Sequence, residues 1–357
     1  MTFEEARSQF PVLERYAYLQ AGSSGPLPQA AVDAARAWLG RDLEQGRSGM
    51  AYIEELGGLR ERIRAGFAAV LDASPEQIAL TDSTTRGCQI VLAGIGLGPE
   101  DEVVTTDEEH FGLLGPLQAS GARVVVVDAD EAALLAAVTP QTRLIAVSHV
   151  LWTTGQKLDL ARLKETGLPV LVDGAQSAGA IPPDLGGADF YTLSAQKWLC
   201  GPEPTGGLFV RDPSRLPVGL PTYFGQAGHE PDGAYAPRDG ARRFDSGWLS
   251  GPVLSGLEAS LACHPEWRYE AAAAMAARCR DLLEPLVEVV TPPGHSTLVS
   301  FRPLGDPKEL VASLDERGVI VRDLPRRNLV RASCGWWTSE DDLERLTQGV
   351  RAQTQSA

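Results

Sequence analysis

The sequence has no C-x-x-C pair, no internal repeat, no low-complexity stretch and no apolar run long enough to cross a bilayer. Its five cysteines, Cys88, Cys200, Cys263, Cys279 and Cys334, are scattered and odd in number. That pattern supplies neither a disulfide framework nor a zinc site, and no metal is expected. Basic residues are also in deficit. Lys and Arg number 32 against 47 Asp and Glu, giving a net charge of −15. Such a surface keeps a chain soluble and offers no footprint for nucleic acid or an anionic membrane. The opening MTFEEARSQF lacks both the basic and the apolar region of a secretory signal, so the simplest compartment is the cytoplasm. What remains is an ordinary globular composition, 43% hydrophobic and 22% charged. At 357 residues the chain is long enough for a large domain with a smaller lobe.

Periodicity gives the organisation. Helical spacing is read over Gln29–Gln45 and Glu54–Leu71. Short strands then alternate with helices. The strands are 77–81, 102–106, 122–128, 143–148, 169–173, 189–194 and 206–211; helices are read at 84–95 and 110–119. β-branched strands separated by helices predict an α/β fold with a mostly parallel sheet covered on both faces. Ligands in such sheets bind beyond the carboxyl ends of the strands. Ser83, Ser148, His149, Asp173 and Lys197 all fall at or just after such ends. Residues 213–243, rich in Gly, Pro and Asp, read as a long functional loop or a lobe connection. Helices at 252–263 and 265–286, strands around 297–302, 319–323 and 328–333, and a helix from Ser339 form a smaller α/β lobe.

Lys197 lies in TLSAQKWLCGP, directly after an apolar strand. Ser194-x-x-Lys197 matches the S-x-x-K of serine β-lactamases, but the companion S-D-N and K-T-G elements are missing. Taken alone, Lys197 reads as a surface lysine, Asp173 in LVDGAQS as a turn or N-cap residue, and TDSTTRG as a plain helix start. Together they read differently. A lysine for a Schiff base, a carboxylate for a pyridine nitrogen, and a Ser/Thr-rich helix N-terminus for a phosphate are what pyridoxal 5'-phosphate requires.

In order and spacing, LTDSTTRGCQIVL, TTDEEHFG, VSHVLWTTGQ, VLVDGAQSAG, SAQKWLCGPEPTGGLFV and LVRASCGWWTSEDDLERL resemble the class V aminotransferase family. These are pyridoxal-phosphate enzymes of fold type I, and they include the cysteine desulfurases. The resemblance covers nearly the whole chain. DGAQSAG, SHVLWTTGQ and GGLFV make it most similar to the cysteine/cystine C–S lyases, with isopenicillin N epimerase-like proteins close behind. It implies a large domain, residues 16–245, built on a seven-stranded, mostly parallel sheet, and a small domain of residues 1–15 and 246–357. It implies that Lys197 holds the cofactor as an internal aldimine and later takes the substrate α-proton. Asp173 would pair with the pyridinium nitrogen, Gln176 would bond the phenolic oxygen, and His110 would stack on the ring. Thr84, Thr85, Ser194 and Gln196 would bind the phosphate, His149 would lie near the cofactor or substrate, and Arg331 would clamp the substrate carboxylate. A homodimer is implied, with Ser246, Trp248 or Ser250 reaching the partner's phosphate.

Two departures bear on the reaction. Gln196 stands where many members carry His, and glutamine donates to phosphate without carrying charge. The stretch VRDLPRRNLVR, where desulfurases keep a catalytic cysteine, has none, and Cys334 lies beyond Arg331. Direct β-elimination on a sulfur-containing amino acid is therefore the expected outcome. The alternatives are transamination, epimerisation or desulfuration of another amino acid, or a binding protein that kept the fold and lost turnover.

Overall fold

The computed structural model describes residues 1–324 and 326–354, so residue 325, within the stretch without a cysteine, lies outside it. The expected large sheet is present. Its strands are β1 (Ile78–Thr81), β2 (Glu102–Thr106), β3 (Arg123–Val127), β4 (Thr142–Ser148), β5 (Val170–Asp173), β6 (Phe190–Ser194) and β7 (Gly206–Val210). Their order across the sheet is β1-β7-β6-β5-β4-β2-β3. Only β7 runs against its neighbours. The central strands are buried along their length because helices cover both faces, which is why they read as continuous apolar runs. Alternate residues serve opposite layers. Ile145 and Val147 pack with Phe67 and Val172 on one side, and Leu144 and Ala146 with Cys88 and Leu208 on the other.

Helices α1 (Gln29–Gln45), α2 (Gly49–Leu71), α3 (Thr84–Ile95), α4 (Phe111–Gln118) and α5 (Gly251–Ala262) flank this sheet. The smaller lobe carries the antiparallel strands β8 (Glu288–Val289), β9 (Leu298–Arg302), β10 (Arg322–Leu324) and β11 (Leu329–Ser333), in the order β8-β9-β11-β10. Helices α6 (Arg268–Leu283), α7 (Pro307–Glu316) and α8 (Glu340–Thr354) belong to it. Ala17–Tyr18 pairs in parallel with Val319–Ile320, and Ala17 and Leu19 join the small-lobe core. Leu254 and Leu257 of α5 instead join the large core. We propose the expected two-domain division with residues 17–19 counted with the small lobe and α5 with the large one.

Two expectations shift. Helix α2 begins at Gly49 rather than Glu54, because its first turn is mostly exposed and so shows no apolar period. The 213–243 stretch carries an exposed two-stranded ribbon, Gln226–His229 with Tyr235–Pro237. Strands with both faces in water have no hydrophobic alternation to reveal them.

Candidate active site

The carboxyl ends of β1, β4, β5 and β6 open on a cavity of about 190 Å³. Its walls are Ser83, Thr84 and Thr85 at the start of α3, His110 at the start of α4, Ser148 at the end of β4, and Val150 and Trp152 after it. Asp173 ends β5, with Ala175 and Gln176 beyond it, and Ser194 ends β6, with Gln196 and Lys197 beyond it. The α3 terminus is set locally. Ser83 caps it, its hydroxyl accepting from Arg86 N at 3.2 Å, which leaves the amides of the first turn aimed outward. Gly206 of β7 lets that turn approach, since a Cβ there would lie 2.6 Å from Leu193 O and 3.1 Å from Ser83 N.

Lys197 sits in a tight turn closed by Cys200 N on Lys197 O at 3.2 Å and Gly201 N on Ala195 O at 2.8 Å, with Cys200 left-handed at φ 54°. Gly25 packs directly on this turn. Its amide donates to Gln196 O at 2.8 Å, and a Cβ on it would meet Lys197 O at 2.1 Å. The turn thus pins the main chain of Lys197 and leaves its amine facing the cavity. Burial lowers that amine to about 8; Asp173 opposes the shift, and Arg331 and Arg322 add to it.

Asp173 is buried, with Oδ1 accepting from Ala175 N at 2.9 Å. Gln176 donates through Nε2 to Gly22 O at 2.8 Å and accepts from Trp198 Nε1 at 3.2 Å, leaving one amide proton for the cavity. Ser194 Oγ donates to Gln196 Oε1 at 2.6 Å. His110 accepts from Gly112 N on Nδ1 at 3.0 Å and meets Trp152 edge-on at 5.3 Å between centroids. Burial first, then the Lys197 charge, lower its pKa, so the imidazole is neutral.

Arg331 lies beyond Trp152, whose carbonyl accepts from its Nη1 at 2.6 Å. It is 1% exposed, and its Nε has no hydrogen-bond partner among the described residues. A buried guanidinium with an unused donor fits a carboxylate. Burial, then Arg322, lowers it to about 9, so it stays charged at neutral pH. The donor set suits pyridoxal phosphate: first-turn amides and hydroxyls for phosphate, Asp173 for a cationic ring nitrogen, Gln176 for a phenolic oxygen, Lys197 for an aldehyde.

The structure corrects one expected residue. His149 does not line the cavity. Strand alternation turns Ser148 inward and His149 to the other side, where its ring lies edge-on to Tyr191 at 6.1 Å. Its Nε2 is 4.0 Å from Asp184, and burial lowers its pKa to about 4, so it is neutral. Trp152, three residues on, takes the place expected of it. Sequence reasoning also missed Glu109 and Arg322; the acidic pair before His110 was the available signal for the first. All five cysteines are free and buried. A hydrogen bond with Cys279, then burial, raises Cys334 well above the usual thiol range. Of the candidates for the partner contact, Ser246 is buried whereas Trp248 and Ser250 are exposed.

The aminotransferase class-V family model matches residues 17–346. Isopenicillin N epimerase of Streptomyces clavuligerus is 28% identical over 99% of this chain and 98% of its own. The cystine C–S lyase C-DES, solved with its reaction product cysteine persulfide, superposes with a TM-score of 0.88 at 30% identity, over 96% of this chain and 99% of that one. The cysteine desulfurase CsdA of Escherichia coli gives 0.84 at 25% identity, over 100% and 99%.

Proposed function

From the premise that the chain belongs to the class V aminotransferase family, whose members are pyridoxal-phosphate enzymes of fold type I, we propose that it is a lyase that eliminates the β-substituent of a sulfur amino acid, with cystine as the substrate to try first. The observation that carries this reading is that every thiol of the chain is buried, so no enzyme cysteine is presented to take sulfur and the leaving group departs directly. A second cation favours a disulfide-sized, twice-carboxylated substrate. Arg322, paired in register with Arg331, acts on Lys197, His110 and Arg331 alike, and its Nη1 donates to Ser23 Oγ at 3.0 Å.

When bound, the cofactor supplies an electron sink that acidifies the α-carbon of an attached amino acid. The chain's own groups do the rest. Arg331 holds the α-carboxylate, and Arg322 receives a distal one. Asp173 would hold the ring nitrogen protonated, and neutral His110 would pack against the ring. Thr84, Thr85, Ser194 and Gln196 would hold the phosphate. Lys197 would take the α-proton as a neutral amine, which its lowered pKa supports. The electron pair of the broken Cα–H bond would close a Cα=Cβ double bond as the C–S bond breaks with its own pair going to sulfur.

We read the protein as a homodimer, acting in the cytoplasm. Exposed Leu39 and Trp248 flank one groove, and Tyr223 stacks on Trp248 at 6.3 Å. Trp248 and Ser250, being exposed, are the better candidates for reaching the partner's site. Among the described residues no helix is long and apolar enough to cross a membrane.

The test is incubation of the cofactor-loaded protein with L-cystine and no keto-acid acceptor. Steady pyruvate release at more than one equivalent per site is expected. An altered cofactor spectrum without pyruvate would refute the lyase reading, and racemised amino acid would then favour the epimerase reading that the Streptomyces relative supports. A spectrum unmoved by any amino acid would favour a non-catalytic binder.

A further inference from the structure

Glu109, next to His110 in sequence, is 5% exposed and belongs to no wall of the cavity. Its carboxylate ties two strand ends together. Oε1 accepts from Thr106 Oγ1 at 2.7 Å and from Ser148 N at 3.0 Å. Oε2 accepts from Ser148 N at 2.9 Å and Ser148 Oγ at 2.5 Å. Ser148 does line the cavity, and on the sheet it is the register partner of Asp173. The neighbouring Glu108 points elsewhere, bonded to Thr153 and ion-paired with Arg327 at 2.9 Å.

A charged group that acts on Glu109 is Asp173 of β5, and both carboxyls act on the buried Cys88 thiol of α3. Burial raises Glu109 to about 7. Its bonds from Ser148 and Thr106 oppose the rise, and the Asp173 charge adds to it. Two neighbouring buried carboxylates resist ionising together. A cation placed against Asp173 relieves that resistance.

We propose that Glu109 is a positioning residue for the cofactor: through Ser148 it fixes the wall beside Asp173, and its own ionisation is linked to the cationic ring nitrogen that Asp173 holds. The linkage is reciprocal, so a ring cation favours the ionised Glu109 and the ionised Glu109 favours the ring. This role is independent of which amino acid is the substrate.

The experiment uses the full chain in a Lys197→Ala background, where pyridoxal phosphate binds without a covalent bond and the lysine no longer titrates. Cofactor dissociation constants are measured against pH for this variant and for Lys197→Ala/Glu109→Gln. The ratio of the double to the single variant cancels the cofactor's own titrations. It should rise from about twofold near pH 6 to about tenfold near pH 8.5, the effect of one buried charge a few side chains away at an effective dielectric of about 20. A ratio that stays flat with pH, whatever its size, would overturn the linkage and leave Glu109 a structural residue. Ser148→Ala in the Lys197→Ala background keeps the charge and removes a bond that holds Glu109 acidic. The pH step in cofactor affinity should then move upward. A step that stays in place overturns the link through Ser148, and this comparison stands even if the glutamine variant does not fold.

Discussion

Gly22→Ala tests the substrate end of the site while keeping the backbone carbonyl that Gln176 uses at the cofactor end. A Cβ on Gly22 would lie 2.5 Å from Arg331 Nη2, 2.8 Å from its Cζ and 3.0 Å from Ser333 Oγ. Carbon and nitrogen rest near ~3.5 Å, so something must yield by about 1 Å. The main chain is held where it is by Gln176 Nε2 on Gly22 O. The guanidinium is buried and pinned at its other end by Trp152 O. Arg331 therefore moves, and a clamp about 1 Å out of place can cost about 100-fold. Losing a charge-assisted bond of ~1.5–3 kcal/mol corresponds to roughly 10–150-fold, so both routes give a similar figure. We expect kcat/KM for cystine to fall roughly 10–100-fold, mostly through KM, and stability to fall by about 1–3 kcal/mol from overpacking. Cofactor absorption should not change, because alanine keeps the carbonyl that Gln176 uses. Gly57→Ala is the control. It lies within α2 with nothing within 4 Å of a new Cβ, and should leave kinetics alone. A KM within about twofold of the parent for Gly22→Ala, in a folded protein, would refute the assignment of Arg331 as the carboxylate clamp.

Lys197 should capture an aldehyde faster as pH rises through about 8, where its amine becomes neutral, and level off above it; a rate still climbing beyond about pH 10 would mean an ordinary lysine. Asp173→Asn removes a charge that holds the lysine protonated, so the midpoint of that profile should move down. His149 has a folded pKa of about 4 against about 6.5 unfolded, so the folded state binds fewer protons between these values. Its contribution to stability is present above the unfolded value and is lost as pH falls toward the folded one, by up to about 3 kcal/mol. The melting temperature of His149→Asn should depend less on pH across that window than the parent's, with the cofactor spectrum unchanged at neutral pH; a changed spectrum would return His149 to the site.

The fold was legible because its signals are local. Strand β5 is four buried apolar-to-acidic residues ending at Asp173, and α3 is announced by Ser83 at its cap and an apolar face behind it. Lys197, Asp173, Gln176, Thr84 and Thr85 could be picked out because each follows a strand or opens a helix, and strand ends in such a sheet converge. His149 was misassigned for the same reason that Ser148 was visible. Both sit at the end of β4, and one residue of register decides which faces the cavity. The α2 start and the 226–237 ribbon escaped because exposed residues carry no period.

The sequence by itself determined the parallel sheet, the helix that opens at Thr84, the order of the strand ends and the chemical types gathered there. Those follow from periodicity, capping and chain order, which act over a few residues. Only the tertiary structure decided that Gly22 and Gly25 press on Arg331 and Lys197, that Arg322 stands beside Arg331, and that Glu109 is buried behind Ser148, the register partner of Asp173. Those contacts join segments distant in the chain. Their energetics, a lysine near 8 and a carboxyl near 7, come from desolvation and neighbouring charge, which exist only once the chain has closed around them.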